Sequence, residues 1–259
     1  MANIELKNGL SVHYRQAGSG SKILLCVHGN LASSIWWEPL FSRLPQDFTA
    51  YALDLPGSGD TPESGELHSM QYFADLLDDF TSALALDSFY LVGHSMGGGI
   101  SQLYTIDHPQ KVLSLVLLDS IAADGFHVLF ERGDAGMQAL RSDRKLLAMA
   151  IRGIIPHCSD EKLIDRVIEA AAKASEQVFL EQPKTMHQAD WFDRLPEIQC
   201  PVLFLHGEED HFVPQEGSER TAAAIPNCTF EYVPNCGHSP NLEVPDFLAQ
   251  KMFSFFSGA

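Results

Sequence analysis

The stretch Gly93-His94-Ser95-Met96-Gly97 constrains this chain more than any other part of the sequence. It follows an apolar run, Phe89 to Val92, that is typical of a buried strand, and it precedes residues spaced for one apolar helix face. A serine in a sharp strand-to-helix turn, with glycine two positions before and two after, is typical of a nucleophile elbow. The backbone of such a turn is strained, and side chains at the glycine positions would collide. The stretch therefore predicts that Ser95 is a nucleophile.

Length, charge and cysteine content narrow the class of protein. The 259 residues are enough for one α/β domain with an insertion. A formal net charge of −17 argues against nucleic acid or an anionic membrane as a partner, because both repel an acidic protein. The five cysteines are an odd number without a Cys-x-x-Cys pair, which favours a reducing compartment. No signal segment or membrane-spanning run is visible, so we expect a cytoplasmic monomer or homodimer.

Apolar runs that alternate with helical patterns predict the fold class. Buried strands are expected at 23–27, 48–54, 89–92, 112–118, 202–205 and 229–233, and helices at 36–41, 69–86, 215–224 and 244–255. Asn8-Gly9 between two alternating segments predicts an antiparallel hairpin at the start. We therefore predict an α/β fold with a mostly parallel, twisted sheet of about eight strands, its first hairpin antiparallel, and helices on both faces.

The alternation of strands and helices breaks between residues 122 and 190, where no strand-like run occurs. Helical patterns cover 137–151 and 163–174 instead, and Ser159 is the predicted N-cap of the second helix. The sequence thus predicts one core domain formed by residues 1–121 and 191–259. We name the segment 122–190 that interrupts it the helical insertion.

A serine hydroxyl becomes a good nucleophile only beside a base that accepts its proton and an acid that orients the base. In open α/β sheets such groups lie just after the strands, at their carboxyl ends. His238 follows the last predicted strand, and Glu208, Glu209 and Asp210 follow the strand before it. The chain order Ser95, Asp210, His238 is the one expected for a triad built on this kind of elbow.

Four motifs together make the sequence resemble the α/β-hydrolase fold superfamily, in particular its serine esterases and lipases. In chain order they are His28-Gly29, Gly93-x-Ser95-x-Gly97, Gly207-x-x-Asp210-x-x-Val213-Pro214, and Gly237-His238 followed by Glu243-x-Pro245. The resemblance covers essentially the whole chain. It implies that Ser95 is the nucleophile, that His238 is the general base and acid, and that Asp210 is the orienting carboxylate.

The same resemblance implies an oxyanion hole and a lid. The oxyanion donors would be the backbone N–H groups of Asn30 and Met96. The helical insertion would be a cap that roofs the pocket and shapes specificity. His28 is expected to brace the loop that carries Asn30, and His94 is expected to point away from the site as a packing residue.

Other residues compete for the role of orienting acid. The spacing to Val213-Pro214 favours Asp210 over Glu208 and Glu209, whereas Asp119, just after the strand 112–118, is the better rival, since some relatives place the acid there. The loop also holds a set of residues that resembles a metal cluster, namely His206, Glu208, Asp210 and His211. Because these residues share one short loop without a His-x-x-x-His frame, we predict no metal site.

The chemistry that the resemblance implies is acyl transfer through a covalent acyl-enzyme, which needs no cofactor. We predict a serine hydrolase that cleaves a small to medium, largely apolar small-molecule ester, thioester or lactone. Dehalogenases and epoxide hydrolases of this superfamily use aspartate at the elbow, so the serine argues against both. A carbon–carbon bond hydrolase or a cofactor-free perhydrolase on the same triad stays open, as does a non-catalytic small-molecule-binding protein of the same fold.

Overall fold

The computed structural model describes residues 2–258. Its strands are β1 (Ala2–Glu5), β2 (Ser11–Gly18), β3 (Lys22–Val27), β4 (Phe48–Leu53), β5 (Phe89–His94), β6 (Val112–Leu118), β7 (Val202–Gly207) and β8 (Cys228–Val233). They form one sheet in the order β1-β2-β4-β3-β5-β6-β7-β8. The pairs β1–β2 and β2–β4 are antiparallel, and all other neighbours are parallel. The predicted α/β class, with its antiparallel first hairpin and mostly parallel sheet, is confirmed.

Eleven α-helices follow and connect these strands within the described residues. They are α1 (Glu38–Phe41), α2 (Met70–Ala83), α3 (Met96–Asp107), α4 (Gly133–Ser142), α5 (Arg144–Gly153), α6 (Glu161–Ala172), α7 (Glu176–Leu180), α8 (Gln182–His187), α9 (Gln215–Ala224), α10 (Pro240–Glu243) and α11 (Pro245–Gly258). Short 3₁₀ helices occupy Ser34–Trp37, Phe130–Arg132 and Phe192–Glu197. Between residues 2 and 258, no helix is both long enough and apolar enough to cross a membrane.

The central strands are buried on both faces, and their alternating side chains fill two separate apolar cores. Along β3, Leu25 and Val27 pack into one core, whereas Leu24 and Cys26 pack into the other. The first core is completed by apolar faces of α2 and α3, and the second by α11, which contributes Met252. Because successive side chains of a strand point to opposite faces, a continuous apolar run suits a strand with helices on both sides.

The helix ends show where local capping decided the boundaries. The Ser69 hydroxyl accepts a hydrogen bond from the Tyr72 N–H at 3.0 Å, so the predicted start of α2 is confirmed. The predicted Ser159 cap is wrong by one residue, because Asp160 Oδ1 accepts the Leu163 N–H at 3.0 Å and α6 begins after it. Asp160 has the carboxylate in the position from which a side chain can reach the third N–H of the helix.

Two predicted helices have different bounds in the structure. The pattern 137–151 spans α4 and α5, because Asp143 ends the first helix and its side chain accepts the N–H groups of Lys145 and Leu146 at the start of the second. The closing helix begins at Pro245 and follows the short α10. Proline suits a first helical position because the N–H that it lacks would have no partner within the helix.

The helical insertion lies between β6 and β7 and contains α4 to α8. Its α7–α8 part is bonded to loops of the core: the Ser175 N–H donates to the Gly57 carbonyl at 2.9 Å, and the Thr185 hydroxyl donates to the His68 carbonyl at 2.6 Å. The His68 N–H in turn donates to a Glu181 carboxylate oxygen at 3.1 Å. These contacts hold the insertion over the carboxyl ends of the parallel strands, where Ser95 lies.

Candidate active site

Ser95 joins β5 to α3 with a backbone φ of 55° and ψ of −120°. Residues with a side chain rarely adopt such a conformation, and it persists only where the surroundings enforce it. The Ser95 N–H donates to the Leu118 carbonyl at 2.9 Å, and its own carbonyl accepts from Gly98 at 2.9 Å and Ile121 at 3.2 Å. The end of β6 and the residues after it therefore hold the strained turn in place.

The glycines that flank Ser95 leave room for backbone that passes close by. A Cβ at Gly97 would overlap the carbonyl oxygens of Val27 and His28 at the end of β3. A Cβ at Gly93 would overlap the carbonyl oxygen of Gly97. Since these are main-chain atoms, they cannot rotate out of the way as a side chain can. The turn therefore requires glycine at both positions.

Asp210 and His238 follow the neighbouring parallel strands β7 and β8, and their side chains meet. His238 Nδ1 lies 2.8 Å from Asp210 Oδ2. The other carboxylate oxygen, Oδ1, accepts the N–H groups of Phe212 at 2.7 Å and Val213 at 3.1 Å. With both oxygens of Asp210 occupied, the bond to His238 orients the imidazole so that its Nε2 is the free ring nitrogen.

The electrostatic surroundings keep Asp210 ionised. Burial alone raises the pKa of this carboxyl group, but the charge of His238, its hydrogen bond and the Phe212 N–H outweigh burial. The pKa of Asp210 therefore lies well below its ordinary value. An ionised carboxylate beside His238 would stabilise the imidazolium that forms when the ring accepts a proton.

Asp119, the rival acid, is fully buried at the end of β6 and does not bond to His238. Its Oδ1 accepts the Gly207 N–H at 2.8 Å. Burial, followed by the nearby charge of Asp210, raises the pKa of Asp119 well above its ordinary value, which favours its protonated form. Glu209 bonds instead to His157, at 2.9 Å. Of the acidic residues that the sequence leaves in competition, Asp210 alone contacts His238 within the described chain.

The spacing of acidic and histidine side chains raises the question of a metal ion. Two groups have ligand atoms within 4.8 Å of one another, namely Asp119 with His206 and Asp210, and His13 with Asp54 and Asp60. In the first group a raised pKa disfavours the charged form of Asp119, and Asp210 is already bonded to His238. In the second, His13 bonds to Asp54 at 2.7 Å and Asp54 also accepts two backbone N–H groups. Hydrogen bonds therefore account for the second group, whereas in the first group both ring nitrogens of His206 and the Oδ2 of Asp119 have no hydrogen-bond partner among the described residues.

The backbone N–H groups of Met96 and Asn30 are free of acceptors within residues 2–258. Met96 begins α3, so its N–H belongs to the positive end of a helix. The Asn30 side chain donates to the Val178 carbonyl at 2.9 Å and to Gln182 Oε1 at 2.7 Å, both on the helical insertion. The Asn30 side chain therefore links its loop to the insertion.

His28 braces the loop that carries Asn30. The Leu55 N–H donates to His28 Nε2 at 2.9 Å, so the ring proton is on Nδ1, which donates to the Gly29 carbonyl at 2.8 Å. Burial, partly offset by the charge of Asp54, lowers the pKa of His28 and keeps the ring neutral. The expected bracing role of His28 agrees with these contacts.

His94 differs from its expected position as a packing residue that points away. It borders the same cavity as Ser95, and its Nε2 donates to the His238 carbonyl at 2.9 Å. The Trp36 ring stacks against it at 5.5 Å between centroids. Burial, then the charge of His238, lowers the pKa of His94 to about 3. This neutral ring thus touches the backbone of the residue that the sequence predicts as the base.

A sequence model of the alpha/beta hydrolase family matches residues 24–251, most of the chain. The chain belongs to the alpha/beta hydrolase family. The carboxylesterase YbfK of Bacillus subtilis is 28% identical over 241 residues, which cover 91% of this hydrolase and 80% of that relative. The structure of a thermophilic esterase from Thermogutta terrifontis shares the fold, with a TM-score of 0.86 and 24% identity over 99% of this hydrolase and 98% of that chain.

A further relative is the dihydrolipoyllysine-residue acetyltransferase component of the acetoin cleaving system of Cupriavidus necator. It is 26% identical over 249 residues, and the match covers 91% of this hydrolase. The match covers 64% of that relative, so this hydrolase spans less than two thirds of its length. Family membership is therefore clear, while these relatives differ in their named activities.

One cavity of about 280 Å³ in this hydrolase joins Ser95, Asp210 and His238. Ser95 and His238 both border it, although the Ser95 hydroxyl makes no hydrogen bond within residues 2–258. The hydrogen bond between a catalytic nucleophile and its base is often long or poorly aligned in free enzymes and tightens when the substrate binds. Most of the remaining wall is apolar: Leu31, Trp36, Leu129, Leu140, Met149, Ala150, Ile151, Ile154, Met186 and Phe212. Asn30 also borders the cavity.

Sequence reasoning assigned no role to the residues of this wall. Leu140, Ile151 and Met186 come from three different helices of the insertion, and each is an ordinary apolar residue at a buried helix position. No motif distinguishes a cavity-lining leucine from a core leucine, so the only available signal was that the insertion interrupts the alternation of strands and helices.

Proposed function

We propose that this alpha/beta hydrolase is a serine esterase that cleaves carboxylic esters through an acyl-enzyme, with Ser95, His238 and Asp210 as its triad. One observation carries the proposal: Ser95 on its strained turn and the Asp210-bonded His238 border the same largely apolar cavity. The carboxylesterase name of the Bacillus subtilis relative supports the same reaction class.

In the proposed reaction, Ser95 Oγ attacks the ester carbonyl while His238 Nε2 accepts its proton. The Met96 and Asn30 N–H groups, free of other acceptors, stabilise the oxyanion, and the alcohol leaves with a proton from His238. The acyl group is then bonded to Ser95 Oγ. Water that transfers a proton to His238 attacks this ester, and the acid and free serine are regenerated.

The cavity supports a small to medium, largely apolar acyl group. Its volume of about 280 Å³ lies near the lower end of the range for small-molecule sites. Apolar side chains from the helical insertion form much of the wall, which supports our proposal that residues 122–190 act as a cap over a core formed by 1–121 and 191–259. A thioester or lactone of similar size would meet the same groups.

The test is hydrolysis of p-nitrophenyl acetate, butyrate and octanoate by the purified protein and by Ser95→Ala. We expect measurable turnover by the wild type and a fall of about 10⁴-fold or more in the variant, because the covalent step is lost. Ser82→Ala is a matched control, since Ser82 is exposed on α2 and distant from the elbow in sequence. It should retain wild-type rates.

A fluorophosphonate probe separates the chemistry from the choice of substrate. Labelling of Ser95 without hydrolysis of any of the three esters would retain the nucleophile and contradict the ester substrate. The carbon–carbon bond hydrolase would then be tested next. If the probe does not label Ser95 and none of the three esters is hydrolysed, the serine hydrolase proposal is contradicted altogether. That result would favour a binding protein on this fold.

A further inference from the structure

The loop that carries His238 is held by one carboxylate, that of Glu243. Its Oε2 accepts the Gly237 N–H at 3.1 Å, and its Oε1 accepts the Ser239 N–H at 2.8 Å. These two N–H groups lie on either side of His238 in the chain. A single side chain thus bonds to the backbone immediately before and immediately after the residue that bonds to Asp210.

The same carboxylate reaches the helical insertion. Glu243 Oε2 also accepts the backbone N–H of His157, at 3.0 Å. The turn around His157 packs on the His238 loop, because a Cβ at Gly237 would lie 2.6 Å from Pro156 Cδ. The Ser239 hydroxyl donates to the Ile154 carbonyl at 3.3 Å in the same region. The carboxylate therefore joins three segments: the His238 loop, the start of α10 and the turn after α5.

The His157 side chain extends this connection to the loop that carries Asp210. Its Nε2 lies 2.9 Å from Glu209 Oε2, one residue before Asp210. Both partners are partly exposed, so this pair is worth little by itself. The Glu243 contacts differ in kind, since three backbone donors converge on one partly buried carboxylate. Charge-assisted bonds to backbone N–H groups are stronger and shorter than neutral ones.

We propose that Glu243 is a positioning residue, which fixes the His238 backbone so that the imidazole keeps its bond to Asp210 and faces Ser95. The proposal rests on the proposed function only in taking His238 as the base. Glu243 contacts no reacting atom; it acts through the loop. A displacement of about 1 Å in a catalytic group can cost about a hundredfold in rate, so a loop with unpaired N–H groups should react slowly.

The variants Glu243→Gln and Glu243→Ala remove one and both of the hydrogen-bond acceptor oxygens of the Glu243 carboxylate. Glutamine keeps one acceptor oxygen and presents an NH₂ group to the other N–H donors, and alanine removes both acceptors. Asp246→Asn is the matched control, because it removes an exposed carboxylate three residues further on that bonds to Arg43 instead. His157→Phe is a second control, because it removes the bond to Glu209 and leaves the backbone N–H to Glu243.

Two measurements distinguish a misplaced His238 from a general loss of stability. Both are made at a temperature well below the unfolding midpoint of each variant. The first is the downfield proton NMR resonance of His238 Nδ1–H, assigned by its loss in His238→Gln. The second is the second-order rate of fluorophosphonate labelling at Ser95. We expect Glu243→Gln to weaken the resonance and slow labelling about tenfold, and Glu243→Ala to abolish the resonance and slow labelling about a hundredfold. Both controls should match the wild type.

Folded Glu243 variants with the wild-type resonance and labelling rate would overturn the proposal, even if their unfolding midpoints fall. Should Glu243→Ala not fold, Glu243→Gln decides by the same two readouts. If the probe fails to label the wild type, the proposed function fails, and the resonance still decides whether Glu243 positions His238.

Discussion

His238 Nδ1 and Asp210 Oδ2 are 2.8 Å apart, while Asp119, a fully buried carboxyl group at the end of β6, makes no bond to the same imidazole. The two acidic groups have opposite pKa shifts: that of Asp210 is lowered and that of Asp119 is raised. These shifts favour a proton on Asp119 and a negative charge on Asp210, beside His238. This separation of roles leads to the first prediction.

Asp210→Asn should lower kcat for ester hydrolysis by about 10⁴-fold, because the amide neither selects the Nδ1–H tautomer nor stabilises the imidazolium. Asp119→Asn is the matched control: it replaces a buried carboxyl group that does not bond to His238 by an amide of the same shape, and its kcat should stay within about tenfold of the wild type. Steady-state kinetics on folded variants check both. The reverse ranking of the two variants would make Asp119 the orienting acid.

Gly97→Ala should destabilise the fold by about 1–3 kcal/mol or more, because the new Cβ would overlap the Val27 and His28 carbonyl oxygens, which belong to the main chain. Gly153→Ala, at the end of α5, is the comparison, since a Cβ there meets nothing within 4 Å. Its stability should be unchanged or slightly higher. Urea unfolding at pH 7.5 measures both. Equal midpoints for the two variants would contradict the steric argument at the elbow.

Acid should destabilise this hydrolase partly through His94. Its folded pKa of about 3 lies below the ordinary value of 6.5, so between these pH values the unfolded chain binds a proton that the folded chain does not. The stability contribution therefore falls as pH drops from about 6.5 towards about 3, by at most about 1.4 kcal/mol per pH unit. His94→Gln, which keeps a donor for the His238 carbonyl, should remove this part of the slope.

Urea unfolding of wild type and His94→Gln at pH 7.5, 6.5, 5.5 and 4.5 tests this pH dependence, with the two proteins compared at each pH. The difference between their free energies of unfolding should be constant above about pH 6.5 and change steadily below it. Parallel curves across the whole range would show that His94 takes up its proton equally in both states.

Ala150→Phe should shift substrate preference towards short acyl chains. Ala150 borders the cavity from α5, so a phenyl ring there fills space that a longer chain needs, and kcat/KM for octanoate should fall more than for acetate. Ala148→Phe is the matched control on the same helix, because Ala148 borders a different cleft, between the insertion and the core. Equal loss on all three esters would indicate that the wall at Ala150 does not contact the acyl group.

The fold class and the strained turn at Ser95 could be predicted because both depend on local patterns. Strands buried on both faces appear as apolar runs of fixed length, and a serine at such a turn requires glycine at 93 and 97 on steric grounds. Residues at the carboxyl ends of neighbouring parallel strands meet at one edge of the sheet, so His238 and the acidic loop could be located as well. These properties need only the order of elements.

Contacts between distant segments could not be read from the chain. Whether Asp210 or Asp119 reaches His238 depends on how the loops after β6 and β7 turn, and the side chain of His94 was expected to point elsewhere. The sequence could not decide whether Ser159 or Asp160 caps α6, because serine and aspartate both suit the N-cap position; the structure shows that Asp160 does so.

The cavity wall and the Glu243 contacts depend on packing across large sequence separations. Ile151 and Met186 line the cavity because the insertion folds back over the sheet, although neither differs locally from a core residue. Glu243 was visible in the sequence only as part of a motif, and the distances to Gly237, Ser239 and His157 assign it a partner on each side of His238. The sequence by itself determined the fold class and the strained serine turn, since steric clashes and the periodicity of apolar residues act within a few residues. The tertiary structure alone decided which groups meet, since hydrogen bonds between loops form only once the sheet and the insertion have brought the loops together.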